Sequence, residues 1–112
     1  MTIALPLVVL ALAASSPRST VVHFLQPASP AELCAQLTPR YRKELDRQYG
    51  PCLQTVGQNP KATGLVFVRT SVTGTKATVE VRYTFRARRY HERLTLLLRS
   101  GRWRIDDAKL LT

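Results

Sequence analysis

The chain has 112 residues, and its Lys and Arg outnumber its Asp and Glu by 17 to 7, which gives a formal net charge of +10. This length suits one small domain, and a hydrophobic fraction of 45% argues against a disordered chain. The basic excess favours a polyanionic partner, such as nucleic acid, anionic lipid or an anionic cell-surface polymer. The alternative is a domain that simply has a basic surface.

An almost unbroken apolar run from Ile3 to Ala14 precedes a short polar stretch. The run has the length of a signal-peptide core and is shorter than the about 20 residues that a transmembrane helix needs. Ala11-Leu12-Ala13 fits the small-x-small rule for cleavage, although no basic residue precedes the run. We therefore predict a signal peptide or apolar leader in residues 1–16 and one secreted, extracytoplasmic domain in residues 17–112. The alternative is an apolar helix that packs on this domain.

Two short helices are predicted after the leader. Apolar spacing indicates the first helix over Arg18–Gln26. The segment Ser29-Pro30-Ala31-Glu32 begins the second, because Ser29 can cap it, proline suits the first helical position and Glu32 completes a capping box.

A third helix is predicted over Arg40–Tyr49, and Gly50-Pro51 ends it. Residues four apart lie on the same face of a helix, where opposite charges attract. The spacing therefore predicts two ion pairs within this helix, Arg40–Glu44 and Arg42–Asp46.

The chain has two cysteines, Cys34 and Cys52. An even number of cysteines in an exported protein indicates a disulfide, which would stabilise a fold with a loop of this length by about 3 kcal/mol. His23 and His91 are distant from both cysteines and match no zinc-ligand spacing, so no metal site is expected. A catalytic thiol is the alternative, and no motif supports it.

The stretch from Leu65 to Leu111 predicts four antiparallel strands with one face in a core and one in water. The second strand alternates most clearly, with one set of residues turned to the core (Ala77, Val79, Val81, Tyr83, Phe85) and the other to water (Thr78, Glu80, Arg82, Thr84, Arg86). Leucines mark the core face of the third strand, and Trp103 and Ile105 mark that of the fourth. Ala87–His91 is expected to be a longer, basic connection. The predicted fold class is α+β, with helices packed on a four-stranded antiparallel sheet.

The helical segment Ala31–Pro39 and the closing strand Gly101–Asp106 resemble small exported bacterial members of the nuclear transport factor two-like (SnoaL-like, cystatin-like) superfamily. Those domains often carry Ala-x-x-Cys-x-x-Leu-Thr-Pro, a second cysteine after the next helix, where Cys52 stands, and Gly-x-Trp-x-Ile. The resemblance covers about residues 18–112. It implies a curved sheet that wraps a long helix to form a cone with an apolar pocket.

Some members of that superfamily are isomerases or dehydratases, and many only bind or serve as accessory domains. This chain departs from the enzymes, because its helical part is short and no acidic residue falls where the sequence alone places the inside of the cone. The resemblance therefore implies no catalytic residue and no cofactor. If a pocket is present, its predicted lining is Phe67, Tyr83, Phe85 and Trp103, although core packing explains the same spacing.

The candidates for acid–base chemistry are two histidines and an aspartate pair. His91 falls in the predicted connection, where a solvated turn histidine is expected. His23 lies among apolar residues at a helix boundary and could face the pocket. Asp106 and Asp107 would point to opposite faces of a strand, so ion pairs with arginines are expected rather than a carboxylate pair.

The arginines are the most informative functional feature. A continuous cationic, anion-binding surface is predicted from Arg82, Arg86, Arg93, Arg99, Arg102 and Arg104 on the outward sheet face, with Arg88 and Arg89 at one tip. Export favours an anionic membrane surface, an anionic wall polymer or an acidic protein as the partner over nucleic acid, for which only Tyr90 offers a stacking platform. We therefore expect an exported, non-catalytic binding or accessory domain. The alternatives are an isomerase- or dehydratase-type enzyme that uses the cone pocket and a nucleic-acid-binding protein.

Overall fold

The computed structural model describes residues 15–52 and 61–111. It contains helices α1 (Pro17–Leu25), α2 (Pro30–Ala35) and α3 (Pro39–Tyr49), followed by strands β1 (Thr63–Thr73), β2 (Lys76–Phe85), β3 (Arg88–Arg99) and β4 (Arg102–Leu110). The strands form one antiparallel sheet in the order β1-β2-β3-β4. The predicted α+β fold class is therefore confirmed. The predicted leader core and its cleavage motif lie outside the described residues.

Each helix begins with a hydroxyl cap followed by proline, as the sequence pattern predicts for α2. The side chain of Ser16 accepts a hydrogen bond from the backbone N–H of Ser19, and Thr38 does the same for α3. In α2 the hydroxyl of Ser29 accepts from Glu32 N at 3.1 Å. The Glu32 carboxylate reaches one residue further than a capping box requires and accepts from the backbone N–H of Ala28 at 3.1 Å. No described helix is long and apolar enough to cross a membrane.

The core lies between the helices and one face of the sheet, which we call the inner face. Its largest fully buried side chains are Val21, Val79, Val81, Leu94, Leu96 and Ile105. The predicted disulfide is present: Cys34 of α2 is bonded to Cys52 beyond α3, and both residues are buried. The bond therefore ties two of the three helical segments together beside the core.

The segment between α2 and α3 pairs with β4. Thr38 N donates to the carbonyl of Ile105 at 2.9 Å, and Ile105 N donates to the carbonyl of Gln36 at 2.7 Å. A register shift follows at Asp106, whose carboxylate accepts from the Thr38 hydroxyl at 2.7 Å and pairs with Arg40. Asp107 stands opposite Thr95 on the face of the sheet that is turned away from the core, which we call the outer face.

The two ion pairs predicted within α3 are wrong. Arg40 pairs with Asp106 of β4, because the first turn of α3 lies against that strand. Glu44 instead pairs with Arg47. The carboxylate of Asp46 accepts from the backbone N–H of Cys52 at 2.9 Å and so holds the segment after α3.

The predicted long connection between the second and third strands is also wrong. β2 and β3 are joined by a two-residue turn, Arg86 and Ala87, and Arg88 is already paired with Phe85. Both turn residues have positive φ, 52° and 65°, the backbone conformation of the tight hairpins that match strand twist. The turn lacks the glycine or asparagine that usually marks it, so the sequence did not reveal it. As a consequence, β3 begins several residues earlier than predicted.

Candidate functional site

A pocket of about 290 Å³ lies between the helices and the inner face of the sheet, and we call it the cone pocket. Its wall is mostly apolar and includes Phe24, Leu33, Leu45, Tyr83 and Phe85, with Glu92 as its carboxyl group. Such a combination, an apolar wall with few polar groups, is typical of a small-molecule site. Of the predicted lining residues, Tyr83 and Phe85 are in this wall.

The other two predicted lining residues lie elsewhere. Phe67 lies beneath the guanidinium of Arg18, which is 5.1 Å from the ring centroid. Trp103 lines a shallow hollow against α1 and α2, together with His23 and Glu32. Neither ring lines the cone pocket: Trp103 is buried in the core, and Phe67 packs against that core.

Glu92 contradicts the prediction that no acidic residue faces the inside of the cone. It pairs with Val81 across the sheet, between the pairs Tyr83–Tyr90 and Val79–Leu94, so it shares the inner face with these residues. Its exposed fraction is 8%. The prediction failed because the early start of β3 extends the period-two pattern of its leucines back to Glu92. That alternation, continued upstream, is the signal that could have revealed it.

The carboxylate of Glu92 has a defined hydrogen-bond partner. The hydroxyl of Tyr83 donates to its Oε1 at 2.5 Å, and the Tyr83 ring stacks on Tyr90 with centroids 5.4 Å apart. Burial raises the pKa of the Glu92 carboxyl, and the hydrogen bond from Tyr83 opposes part of that rise. Burial, together with this hydrogen bond, also raises the pKa of Tyr83.

Tyr41 and Tyr49 add two further phenols to the lining of the cone pocket. Burial and the nearby charge of Glu92 raise the pKa of Tyr41 to about 12. The pocket thus offers one carboxyl that takes up a proton more readily than usual and two phenols, Tyr41 and Tyr83, that keep theirs. This set can hold a hydrogen-bonding group of a small apolar ligand, and it can exchange one proton with it.

The outer face carries the predicted cationic surface in large part. The alternation and register place Arg82 on β2, Arg89, Arg93 and Arg99 on β3, and Arg102 and Arg104 on β4 together there. The structure adds Arg69, Lys76 and Lys109 to the same face. We call this set the basic face.

Two predicted members of the cationic surface lie at the β2–β3 tip. Arg86 is in the turn, and its guanidinium lies 5.5 Å from the ring centroid of Phe85, an inner-face residue. Arg88 is exposed and stands opposite Phe85. Of the two arginines predicted at the tip, Arg89 belongs to the basic face and Arg88 does not. Arg86, which was predicted on the outward face, lies against Phe85 instead.

His91 is a strand residue and not the solvated turn residue that was predicted. It pairs with Arg82 across the sheet, and its Nε2 lies 2.5 Å from Oε2 of Glu80. The hydrogen bond to His91 lowers the pKa of the Glu80 carboxyl, and the charges of Arg69 and Arg82 act in the same direction. Glu80 is therefore held as a carboxylate within the basic face.

His23 faces the hollow beside Trp103 and not the cone pocket. Its Nδ1 lies 3.0 Å from Oε1 of Glu32. The pKa of Glu32 is lowered, first by the hydrogen bond from Ala28 N and then by that with His23. Because His23 is exposed, this pair acts as a surface link between α1 and α2. Within residues 15–52 and 61–111 no cluster of side chains could hold a metal ion.

No known protein-family profile matches the sequence, and no curated protein does. Solved structures match in fold. An NTF2-like protein of unknown function from Shewanella baltica OS155 is 12% identical, with a TM-score of 0.56 over 91% of this chain and 92% of that chain. A SEC-C motif-containing protein from Rhodopseudomonas palustris is 17% identical, with a TM-score of 0.55 over 83% of this chain and 70% of that chain.

An NTF-2 like protein of unknown function from Silicibacter pomeroyi DSS-3 is 24% identical over 53% of this chain, with a TM-score of 0.41. That match spans 50% of the Silicibacter chain. The chain has a nuclear transport factor two-like fold, as the sequence resemblance implied. A shared fold does not assign an activity.

Proposed function

We propose that this chain is an exported, non-catalytic binding domain whose basic face holds an anionic partner. The observation that carries the proposal is the charge on that face. Every strand contributes Lys or Arg to it, whereas its carboxylates among the residues that the structure describes are Glu80, Asp107 and, in a cavity beside Arg99 and Arg104, Asp106. An excess of one sign over a whole sheet face attracts polyanions.

The arrangement of the basic face supports an external anion. Arg99 stands directly opposite Arg102, and Arg93 stands opposite Lys109. Like charges on directly opposed strand positions destabilise a sheet, and an anionic partner would offset that repulsion. The partner would thus stabilise the fold as it binds.

The proposed export of the chain limits which anionic partners it can meet. The Cys34–Cys52 disulfide favours an oxidising compartment, and the apolar run before the domain has the length of a signal-peptide core. Outside the cytoplasm, the abundant anionic surfaces are the membrane and anionic wall polymers. We therefore propose these, or an acidic protein, rather than nucleic acid.

Titration of the purified domain tests the proposal. Three ligands would be added separately: phosphatidylglycerol vesicles, an anionic wall polymer and duplex DNA. Each titration would be run at about 20 mM and about 150 mM salt, since the Debye screening length shortens to about 8 Å at the higher concentration. Binding to vesicles or polymer at low salt that weakens with salt is the expected result. Absence of binding to all three at low salt would refute the proposal. Tighter binding to DNA than to the other two would favour the nucleic-acid alternative.

Export has a separate test. The intact mass of the protein from medium and from cells would be measured with thiol alkylation before and after reduction. A mass that lacks the apolar leader, with alkylation only after reduction, is the expected result. A full-length protein with two free thiols would contradict export.

A second candidate function is proton transfer on a small apolar substrate, and Glu92 favours it. A buried carboxyl with a raised pKa in an apolar pocket is the group that a general acid or base near neutral pH requires. Hydrogen–deuterium exchange next to the carbonyl of small ketones, followed by NMR, would test it with Glu92→Gln as the control. Exchange that is absent, or that persists in the Glu92→Gln variant, would exclude this function.

A further inference from the structure

A separate cavity of about 420 Å³ lies where the first turn of α3 approaches the outer face of β3 and β4. Its lining includes Thr38, Arg40, Leu97, Arg99, Ser100 and Arg104. It is distinct from the cone pocket, since the two share no lining residue. Arginines thus come to this cavity from a helix and from two strands.

Arg104 is the informative residue of this cavity. Its Nε is buried and has no hydrogen-bond partner in the part of the chain that the structure describes. Buried donors are nearly always paired in proteins, so this Nε–H lacks the acceptor that such a group usually has, and Arg104 is also a lining residue of the cavity. The carboxylate residue in the lining of the cavity, Asp106, already accepts from Thr38 and Arg40.

A neighbouring arginine adds to the positive charge. Arg104 stands opposite Leu97 and Arg99 opposite Arg102, so Arg99 and Arg104 are diagonal neighbours on adjacent strands. Long side chains at such diagonal positions can reach each other. The N-terminus of α3, which carries the positive end of the helix dipole, adjoins the same cavity.

We propose that this cavity is a subsite for a phosphate group, free or esterified, with Arg99 and Arg104 as its principal donors. A carboxylate is satisfied by one guanidinium fork, whereas the oxygens of a phosphate accept from two guanidinium groups and a hydroxyl such as that of Ser100. Leu97 and Pro39 give the cavity an apolar side against which an esterified group would pack. The inference rests on the proposed function, because it names the chemistry that the basic face recognises.

The experiment compares two variants of equal charge in the full domain. Arg99→Gln/Arg104→Gln alters the cavity, and Arg82→Gln/Arg93→Gln removes the same charge elsewhere on the basic face. Inorganic phosphate would be titrated by ¹H–¹⁵N NMR, with the Arg104 Nε–H signal of the unaltered protein as the direct readout, and vesicles with phosphatidylglycerol would be titrated in parallel. We expect a saturable shift of the Nε–H signal and a loss of affinity for inorganic phosphate of about tenfold or more in the cavity variant only, whereas both variants should bind vesicles more weakly.

The outcomes separate the subsite from the basic face. An equal loss of phosphate affinity in both variants, or vesicle binding without a saturable Nε–H shift from either phosphate or vesicles, would overturn the subsite and leave the proposed function intact. Failure of phosphate to bind, together with failure of vesicles, wall polymer and DNA, would overturn both. If the cavity variant does not fold, the Nε–H titration of the unaltered protein still tests whether phosphate binds at Arg104. Saturation by inorganic phosphate supports a free ligand, whereas a shift with vesicles alone supports a lipid headgroup.

Discussion

The hydroxyl of Tyr83 donates a 2.5 Å hydrogen bond to the carboxylate of Glu92 within the helix-covered face of the sheet. The two residues come from adjacent strands, and Glu92 is buried. A carboxyl group that keeps one hydrogen bond but loses its water is stabilised in its protonated form. This pair therefore makes the stability of the fold depend on pH.

Glu92→Gln should raise the free energy of unfolding at neutral pH and flatten its pH dependence. Because the folded pKa of Glu92 lies above its unfolded value of about 4.5, the folded state binds the proton more tightly. The stabilisation that proton binding at Glu92 provides has its full value below the unfolded pKa, and it is lost as the pH rises through the folded pKa. Chemical denaturation from pH 4 to pH 8 measures this. A difference between the two proteins that does not change with pH would contradict the account.

Tyr83→Phe is the companion variant. It removes the donor that lowers the pKa of Glu92, so the pH dependence should become steeper rather than flatter. It should also cost about 1.5–3 kcal/mol, the effect of losing a buried hydrogen bond to a charged group. A Tyr83→Phe protein with the same pH profile as the unaltered domain would show that the hydrogen bond does not tune Glu92.

Replacing Cys34 and Cys52 together by alanine should lower the free energy of unfolding by about 3 kcal/mol. The bond joins residues with a sequence separation of 18, and opening it frees that loop in the unfolded chain. Urea denaturation of the oxidised domain and the double variant measures the change. A loss below about 1 kcal/mol would indicate that the segment after α3 contributes little to stability.

Ala87→Gly should stabilise the domain by about 1 kcal/mol. Ala87 has a φ of 65°, a conformation that strains any residue with a Cβ and that glycine adopts without strain. Thermal unfolding would detect the gain as a higher melting temperature. An unchanged or lower melting temperature would mean that the hairpin does not adopt this turn.

Asp106→Ala should cost about 1.5–3 kcal/mol, because it removes the acceptor of the buried Thr38 hydroxyl. Glu44→Ala is the matched control, since Glu44 pairs with Arg47 on the exposed side of α3, and its loss should change stability by less than about 0.5 kcal/mol. Equal effects of the two variants would contradict the role of Asp106 in holding α3 to β4.

The local signals in the sequence were sufficient for most elements. The alternation along β2 predicted its faces, and Ser29-Pro30 marked the start of α2, because caps and strand periodicity act within a few residues. The Arg40–Asp106 pair was not predictable in this way. Its partners are 66 residues apart and meet only when α3 packs on β4.

The carboxyl group of the cone pocket, Glu92, was missed for a different reason. The turn at Arg86 and Ala87 uses two residues that are uncommon at positive φ, so a longer loop was predicted and Glu92 was not assigned a face. The basic face was largely predictable, because alternation alone places alternate arginines together. The unpaired Nε of Arg104 depends on side-chain packing, which no local pattern encodes.

The most direct test of the basic face compares two double variants that lose the same charge. Arg82→Gln/Arg93→Gln alters the basic face, and Arg42→Gln/Lys43→Gln alters the exposed side of α3. Each basic residue near an anionic membrane contributes about 1 kcal/mol, so the first variant should bind phosphatidylglycerol vesicles about 30-fold more weakly at low salt. The second should bind as the unaltered protein does. Equal losses in the two variants would show that net charge alone drives binding and would contradict a binding site on the sheet.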